Sequence, residues 1–294
     1  MPNRQFALRV VSYFFLCLTT LVMVYPILYM VLGAFTTPRQ LAAHILLPIP
    51  NTLNLNAIVG AWNGGLWQAY VFTFGRCLFY IALALSVGLV GGYVFSKLNF
   101  PGKNKLFLLF LSGMVMPSIV LIVPMFLMIA WWPLAGGNNW LGQGGHGLVN
   151  NWRVLFVFGW VPPFAIFLFK QSFDMLPNEY QDAAELDGAG VFTIILRVYA
   201  PLLKPVMAAI IVITFLSVWN DYLWPSLTIT NIGPYLPITL RVAGTTAQNF
   251  SNGGGGGGSG GFMRVLLALW PPALVYWILQ RSFVQGMVAM GLKG

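Results

Sequence analysis

The 294-residue chain is 58% hydrophobic and only 7% Asp, Glu, Lys or Arg, against about 25% charged residues in soluble domains. With a mean hydropathy of +0.79, that composition excludes a soluble globular class and identifies a polytopic membrane protein. The net charge of +9 does not point to nucleic acid, because the fifteen Lys and Arg residues stand singly near the ends of apolar runs and form no basic stripe.

A helix rising 1.5 Å per residue needs about 20 residues to cross a hydrocarbon core of about 30 Å. In chain order the apolar runs predict six spans, at about 8–34, 70–96, 105–131, 154–172, 206–228 and 264–284. The first follows Arg4 and Arg9 as a signal peptide would, but its apolar run is too long and no small-residue cleavage site follows, so it is read as an anchor. Residues 35–69, with Pro48 and Pro50, are too polar to insert. Lys97 to Lys103 form a short turn around Pro101 and Gly102, and 133–153 is a loop rich in Gly and Asn. Residues 173–205 are a long connection, and 229–263 contain the run Gly253, Gly254, Gly255, Gly256, Gly257 and Gly258. The expected fold is therefore all-α, a single integral membrane domain over 1–294.

Six spans put both termini on one side. That side collects Arg4, Arg9, Lys97, Lys103, Lys105, Lys170, Arg197, Lys204, Arg281 and Lys293, whereas the other has Arg39, Arg76, Arg153, Arg241 and Arg264. The basic excess assigns the termini, and 173–205 with them, to the cytoplasm. Five of the six acids, Asp174, Glu179, Asp182, Glu185 and Asp187, fall in this segment. Pro177 suits a first helical turn, and Glu179, Asp182 and Glu185 recur every third residue on one face of a short helix. Ala183 and Ala184 offer a low-profile surface to a partner, Gly188 can end the helix, and Ala189 to Tyr199 is a second apolar segment.

These motifs resemble a known family, the inner-membrane permease subunits of bacterial ABC importers, in the carbohydrate branch that includes the maltose permeases. Asp182-Ala183-Ala184, then Leu186-Asp187-Gly188-Ala189, then Pro201-Leu202-Leu203-Lys204-Pro205 follow that family's EAA loop. Further matches are Phe100-Pro101-Gly102-Lys103, Met116-Pro117 with Pro124, Trp219-Asn220-Asp221 with Trp224-Pro225, and the tail from Gln280 to Gly286. Asp182 stands where the family usually has Glu, Ala200 where Leu precedes the proline, and Phe74-Gly75-Arg76-Cys77 replaces a common Asn-Ser pair.

The resemblance implies a multi-pass protein of the bacterial inner membrane. Its expected partners are a second, homologous permease, two ATPase subunits and an extracytoplasmic solute-binding protein. The chain has no GxxxxGK[ST] phosphate loop, so ATP and Mg belong to the partner ATPase, this chain holds no cofactor, and it is not itself an enzyme. Glu179, Asp182, Ala183, Ala184, Asp187, Gly188 and Pro201 are then the coupling residues, and Gly253 to Gly258 the contact with the binding protein.

Polar residues inside the membrane are pathway candidates because lipid does not tolerate them. Trp219, Asn220, Asp221 and Trp224 combine hydrogen-bonding groups with flat aromatic faces suited to sugars, though Asp221 also fits a structural role between helices. Arg76 is expected to snorkel to the outer boundary. Cys17 and Cys77 lie in apolar runs and read as small buried hydrophobes, and His44 and His146 have no second ligand at metal spacing. The expected cargo is an oligosaccharide, with a glycerol phosphate ester as the alternative; an ion-coupled secondary carrier would leave the acidic segment without a purpose.

Overall fold

The computed structural model describes residues 2–44, 46–157, 163–230, 233–251 and 258–291, and these are all-helical apart from turns and loops. The labelled helices are α1 (Pro2–Ala34), α2 (Trp67–Lys97), α3 (Lys103–Val115), α4 (Ser118–Ala130), α5 (Pro163–Asp174), α6 (Glu179–Leu186), α7 (Val191–Leu202), α8 (Lys204–Trp219), α9 (Leu223–Thr228), α10 (Ile238–Ser251) and α11 (Gly258–Gly291). Among the described residues, four helical stretches are long and apolar enough to cross a membrane: Arg9–Ala34, Asn56–Lys97, Lys204–Thr228 and Gly260–Gln280.

Two of the six expected spans look different in three dimensions. The run at 105–131 is the pair α3 and α4, bent by 97°. Pro117 disfavours helical geometry at the residue before it, and Met116 is accordingly extended, with φ −71° and ψ 122°. The expected span at 154–172 consists of a short turn of helix, Val154–Val157, and α5; residues 158–162 of it lie outside the described residues. A third difference lies in 229–263, read from sequence as a loop. Most of its described part is the helix α10, whose polar composition, with Thr245, Thr246, Gln248 and Asn249, hides it from a hydropathy reading.

The chain divides into two compact units. The first comprises residues 1–67 and 241–270. In it the membrane-length stretch of α1, Arg9–Ala34, is predominantly apolar, and its most apolar window is exposed, as in a lipid-facing helix. Near its end Tyr29 meets Phe262 edge to face at 5.8 Å, and Gly33 leaves room for the same ring. Thr37 forms a capping box with Gln40 at the start of the short helix Pro38–Ala43.

The second unit comprises residues 68–240 and 271–294. Its core joins α2, α5, α6, α7 and α8 through Ala84, Leu89, Tyr93, Phe169, Phe173, Ala184, Ile194, Tyr199 and Ile210. Helix α2 meets α5 through Gly88, Gly91 and Gly92, which face Ala165, Ile166 and Phe169. Small residues let two backbones approach closely where lipid provides no hydrophobic drive between helices. At Gly92 the approach is closest, since an added Cβ would run into Phe169 and lie 2.9 Å from the Lys170 backbone nitrogen. The loop after α4 is held by the buried Asn138, whose side chain donates to the carbonyls of Ala130 and Trp132 and accepts from the Gly145 amide.

This packing makes a stability prediction. Gly92→Ala should destabilise the protein by about 1–3 kcal/mol, the usual cost of overpacking, measured as a lower thermal unfolding midpoint in detergent. Gly75→Ala, on the same helix with nothing within 4 Å of the new Cβ, should leave the midpoint unchanged or raise it.

Candidate functional site

The acidic segment forms the short helix expected of it. Helix α6 carries Glu179 and Asp182 in its first turn, where the helix dipole favours negative charge. Gly188 follows its end in the left-handed region, with φ +77°, a conformation that costs a residue with a Cβ roughly 1–2 kcal/mol. Lys97, at the end of α2, secures the approach to α6 by donating to the Leu176 carbonyl and the Asn178 side chain, both at 2.7 Å, while its ammonium sits over the Tyr199 ring. Asp174 is bound by Lys170 and Ser96, each at 2.6 Å.

The two alanines divide. Ala184 is 9% exposed and packs inward with Phe173, Ile195 and Tyr199, so it anchors the helix to its own core and offers nothing to a partner. Ala183 faces outward with Glu179, Asp182, Glu185, Asp187 and Gly188, and Pro201 is also exposed. Among the described residues, Glu179, Asp182, Glu185 and Asp187 form no ion pair. The sequence reading missed the apolar part of this surface. Leu186 is 89% exposed, and Tyr180, Val191, Phe192 and Leu196 are exposed with it. The signal was present in the apolar residues after Gly188, but sequence did not say which of them the core would take.

Tyr93, Phe173 and Tyr199 form the link beneath this surface, with ring centroids 5.2 to 6.2 Å apart. Burial, then the neighbouring Tyr93, Asp182 and Glu185, push the Tyr199 hydroxyl above the ordinary phenol range, so it stays neutral.

The intramembrane candidates separate as well. Asp221 follows the end of α8 and accepts from Arg76 at 2.6 Å; the two are 23% and 2% exposed. Arg76 therefore does not snorkel. Its side chain is buried on α2, where it pairs with the one acid the sequence carries outside 174–187. Its Nε donates to the Leu155 carbonyl at 3.1 Å, an acceptor shared with the Tyr80 hydroxyl at 2.8 Å, and the guanidinium lies over the Tyr80 ring. The turn carrying Asp221 is held by Thr239, whose hydroxyl donates to the Asp221 carbonyl at 2.7 Å.

Arg76, Tyr80, Ser118, Ser217, Asp221 and Trp224 are among the residues lining a cavity of about 330 Å³. Of the expected pathway residues, Asp221 and Trp224 meet there. Trp219 does not; it is packed among Tyr70, Phe74 and Phe215. Asn220 is exposed and caps α8 by donating to the Leu216 carbonyl at 2.9 Å. Arg76 Nη1 and Trp224 Nε1 are buried donors with no hydrogen-bond partner among the described residues, a state that costs roughly 1–3 kcal/mol per group. Gly253 to Gly257 lie outside the described residues, and Gly258 is the first residue of α11.

Residues 84–289 match the family described as binding-protein-dependent transport system inner membrane component. The match takes in α6, α7 and Asp221 but begins after Arg76. The chain is 27% identical to the arabinooligosaccharides transport system permease protein AraQ of Halalkalibacterium halodurans, over 92% of this chain and 91% of that one. It is 28% identical to the sn-glycerol-3-phosphate transport system permease protein UgpE of Escherichia coli K12, over 96% of each, and 30% identical to the lactose transport system permease protein LacG of Rhizobium radiobacter, over 70% of this chain and 68% of that one. In fold it is similar to a chain from the crystal structure of a bacterial ABC transporter involved in import of the acidic polysaccharide alginate, with a TM-score of 0.76, 21% identity, and coverage of 96% and 98%. With the family matched over most of its length, and with apolar helices long enough to cross a membrane, the chain belongs to the binding-protein-dependent transport system inner membrane components.

Proposed function

We propose that this chain is one of two permease subunits of an ABC importer for an oligosaccharide, with α6 and α7 as the element that couples it to a separate ATPase. The observation that carries this reading is the surface of α6 and α7. Carboxylates at Glu179, Asp182 and Asp187, without an ion pair among the described residues, are exposed on and just after α6 together with Leu186, and Phe192 is exposed on α7, while Ala184 roots α6 in the core. A surface that is both acidic and apolar, and rigidly attached, suits a partner whose movement must be transmitted. ATP and Mg would be held by that ATPase, and a second permease and an extracytoplasmic binding protein would complete the assembly. The names of AraQ and LacG favour a saccharide as cargo. A glycerol phosphate ester is the second reading, favoured by the match to UgpE along nearly the whole chain.

In this reading the sequence spans the inner membrane six times, with α3 and α4 as one broken span and both termini in the cytoplasm. A single cysteine at Asp187, in a background with Cys17 and Cys77 replaced, should react with a membrane-impermeant thiol reagent only after the cells are opened. A cysteine at Trp140, exposed in the loop after α4, should react in intact cells. The opposite pattern would invert the orientation.

Coupling is tested at Gly188. Gly188→Leu should insert normally, because nothing lies within 4 Å of the new Cβ, yet a β-carbon there strains the left-handed turn by about 1–2 kcal/mol. The ATPase should then copurify poorly, or hydrolyse ATP without responding to the loaded binding protein. Leu186→Asp should have the same effect without backbone strain. Full copurification and normal stimulated hydrolysis in both variants would remove the coupling role from this surface.

A further inference from the structure

The loop after α4 exposes large apolar side chains. Trp140 is 77% exposed and Leu141 72%, and Trp131 and Leu134 are exposed with them. No Asp, Glu, Lys or Arg lies between Lys105 and Arg153. Hydrogen bonds fix the shape of this patch. The Asn139 carbonyl accepts from the Gly142 amide at 3.0 Å, so Trp140 and Leu141 occupy the two corner positions of a tight turn. The Asn139 side chain braces that turn by accepting from the amides of Leu141 and Gln143. Exposed apolar side chains grouped in this way mark a contact surface.

The level of the patch identifies what covers it. The loop folds back on α4: a Cβ on Gly142 would run into the Trp131 carbonyl oxygen, and the Leu148 amide donates to the Ile129 carbonyl at 2.8 Å. Trp140 and Leu141 are therefore one and two residues from the end of α4, beside it and not out in solution. On α4 itself Val120, Val123 and Leu127 are exposed at helical spacing and lead to Trp131, which joins that stripe to the patch. Trp131, Trp132, Trp140 and Trp152 are four of the eleven tryptophans in the chain, gathered at the end of an apolar segment, where amphipathic rings meet lipid headgroups. A soluble partner that binds and leaves would strand these side chains in water at each departure, whereas the bilayer is always present.

We propose that the turn at 139–142 is an interfacial anchor that seats Trp140 and Leu141 in the headgroup–acyl boundary of the bilayer, beside Trp131, and so sets the depth of α4. Helix α4 needs such a device. Its 13 residues rise roughly 20 Å, against about 30 Å of hydrocarbon, and the 97° bend separates it from α3, so its length alone does not fix its position. The boundary is wet on its headgroup side, and a water-borne reagent still reaches position 140. The proposal requires only that the chain cross a membrane, and it stands apart from the cargo and from the coupling role of α6.

The test places the full chain, with the subunits that copurify with it, in nanodiscs of phosphatidylcholine and phosphatidylglycerol. With Cys17 and Cys77 replaced, Leu141→Cys carries the fluorophore NBD; the same adduct of free cysteine is the water reference. Emission from position 141 should be blue-shifted from that reference, and a nitroxide lipid labelled near its headgroup should quench it more than one labelled near the end of its acyl chain. Trp140→Asp exchanges an exposed ring for a charge, so the unfolding midpoint should hold while the lipid quenching at 141 falls. Water-like emission with no quenching by either lipid would overturn the anchor, and a shift on adding the extracytoplasmic binding protein would then make the patch a protein docking face. Blue-shifted emission without lipid quenching would also overturn it, placing the patch against a copurified subunit. Stronger quenching by the chain-end lipid would overturn the interfacial depth, and quenching unchanged by Trp140→Asp would remove the anchoring role from Trp140.

Discussion

Hydrocarbon supplies no hydrogen bonds, and every other feature of this chain follows from that constraint. Backbone groups within the membrane must be paired inside each segment, which leaves helices as the available structure for a chain without strands among its described residues. Charge is held to 7% of residues and confined largely to helix ends. The deep exception, Arg76 with Asp221, is tolerated because each neutralises the other, while the Leu155 carbonyl accepts from Arg76 Nε and Thr239 holds the Asp221 backbone. Removing either partner of such a pair leaves a buried charge uncompensated, at a cost of about 3–5 kcal/mol.

The same constraint explains how a short acidic helix can be stiff. Alone, the eight residues of α6 would be far below the length at which a helix persists in water. Here Ala184 docks on the ring cluster of Tyr93, Phe173 and Tyr199, and Lys97 ties the preceding turn to the end of α2. Side chains of α2, α5 and α8 share that core with α6. The glycines at 88, 91 and 92 keep α2 and α5 in close contact.

The class of the protein, the position of its acidic helix and the Pro101-Gly102 turn were legible in the residues, because each depends on local properties: apolar run length, charge clustering and backbone restriction. The bend at Met116 was latent in Pro117, yet a hydropathy reading joins α3 and α4 because it registers apolarity and not direction. Helix α10 escaped for the opposite reason, being helical without being apolar enough to span.

Sequence by itself determined that this is a membrane permease-type chain and that residues 174–187 carry nearly all of its negative charge. Only the tertiary structure decided which side chains meet. It turned Ala184 inward and Leu186 outward, although both lie in the same apolar motif, because the rotation of α6 is set by the aromatic core it docks on. It took Trp219 and Asn220 away from the cavity and brought in Arg76, 145 positions before Asp221 in the chain. Pairing over that distance depends on how α2 and α8 pack, and helical periodicity within a single segment carries no information about its neighbour.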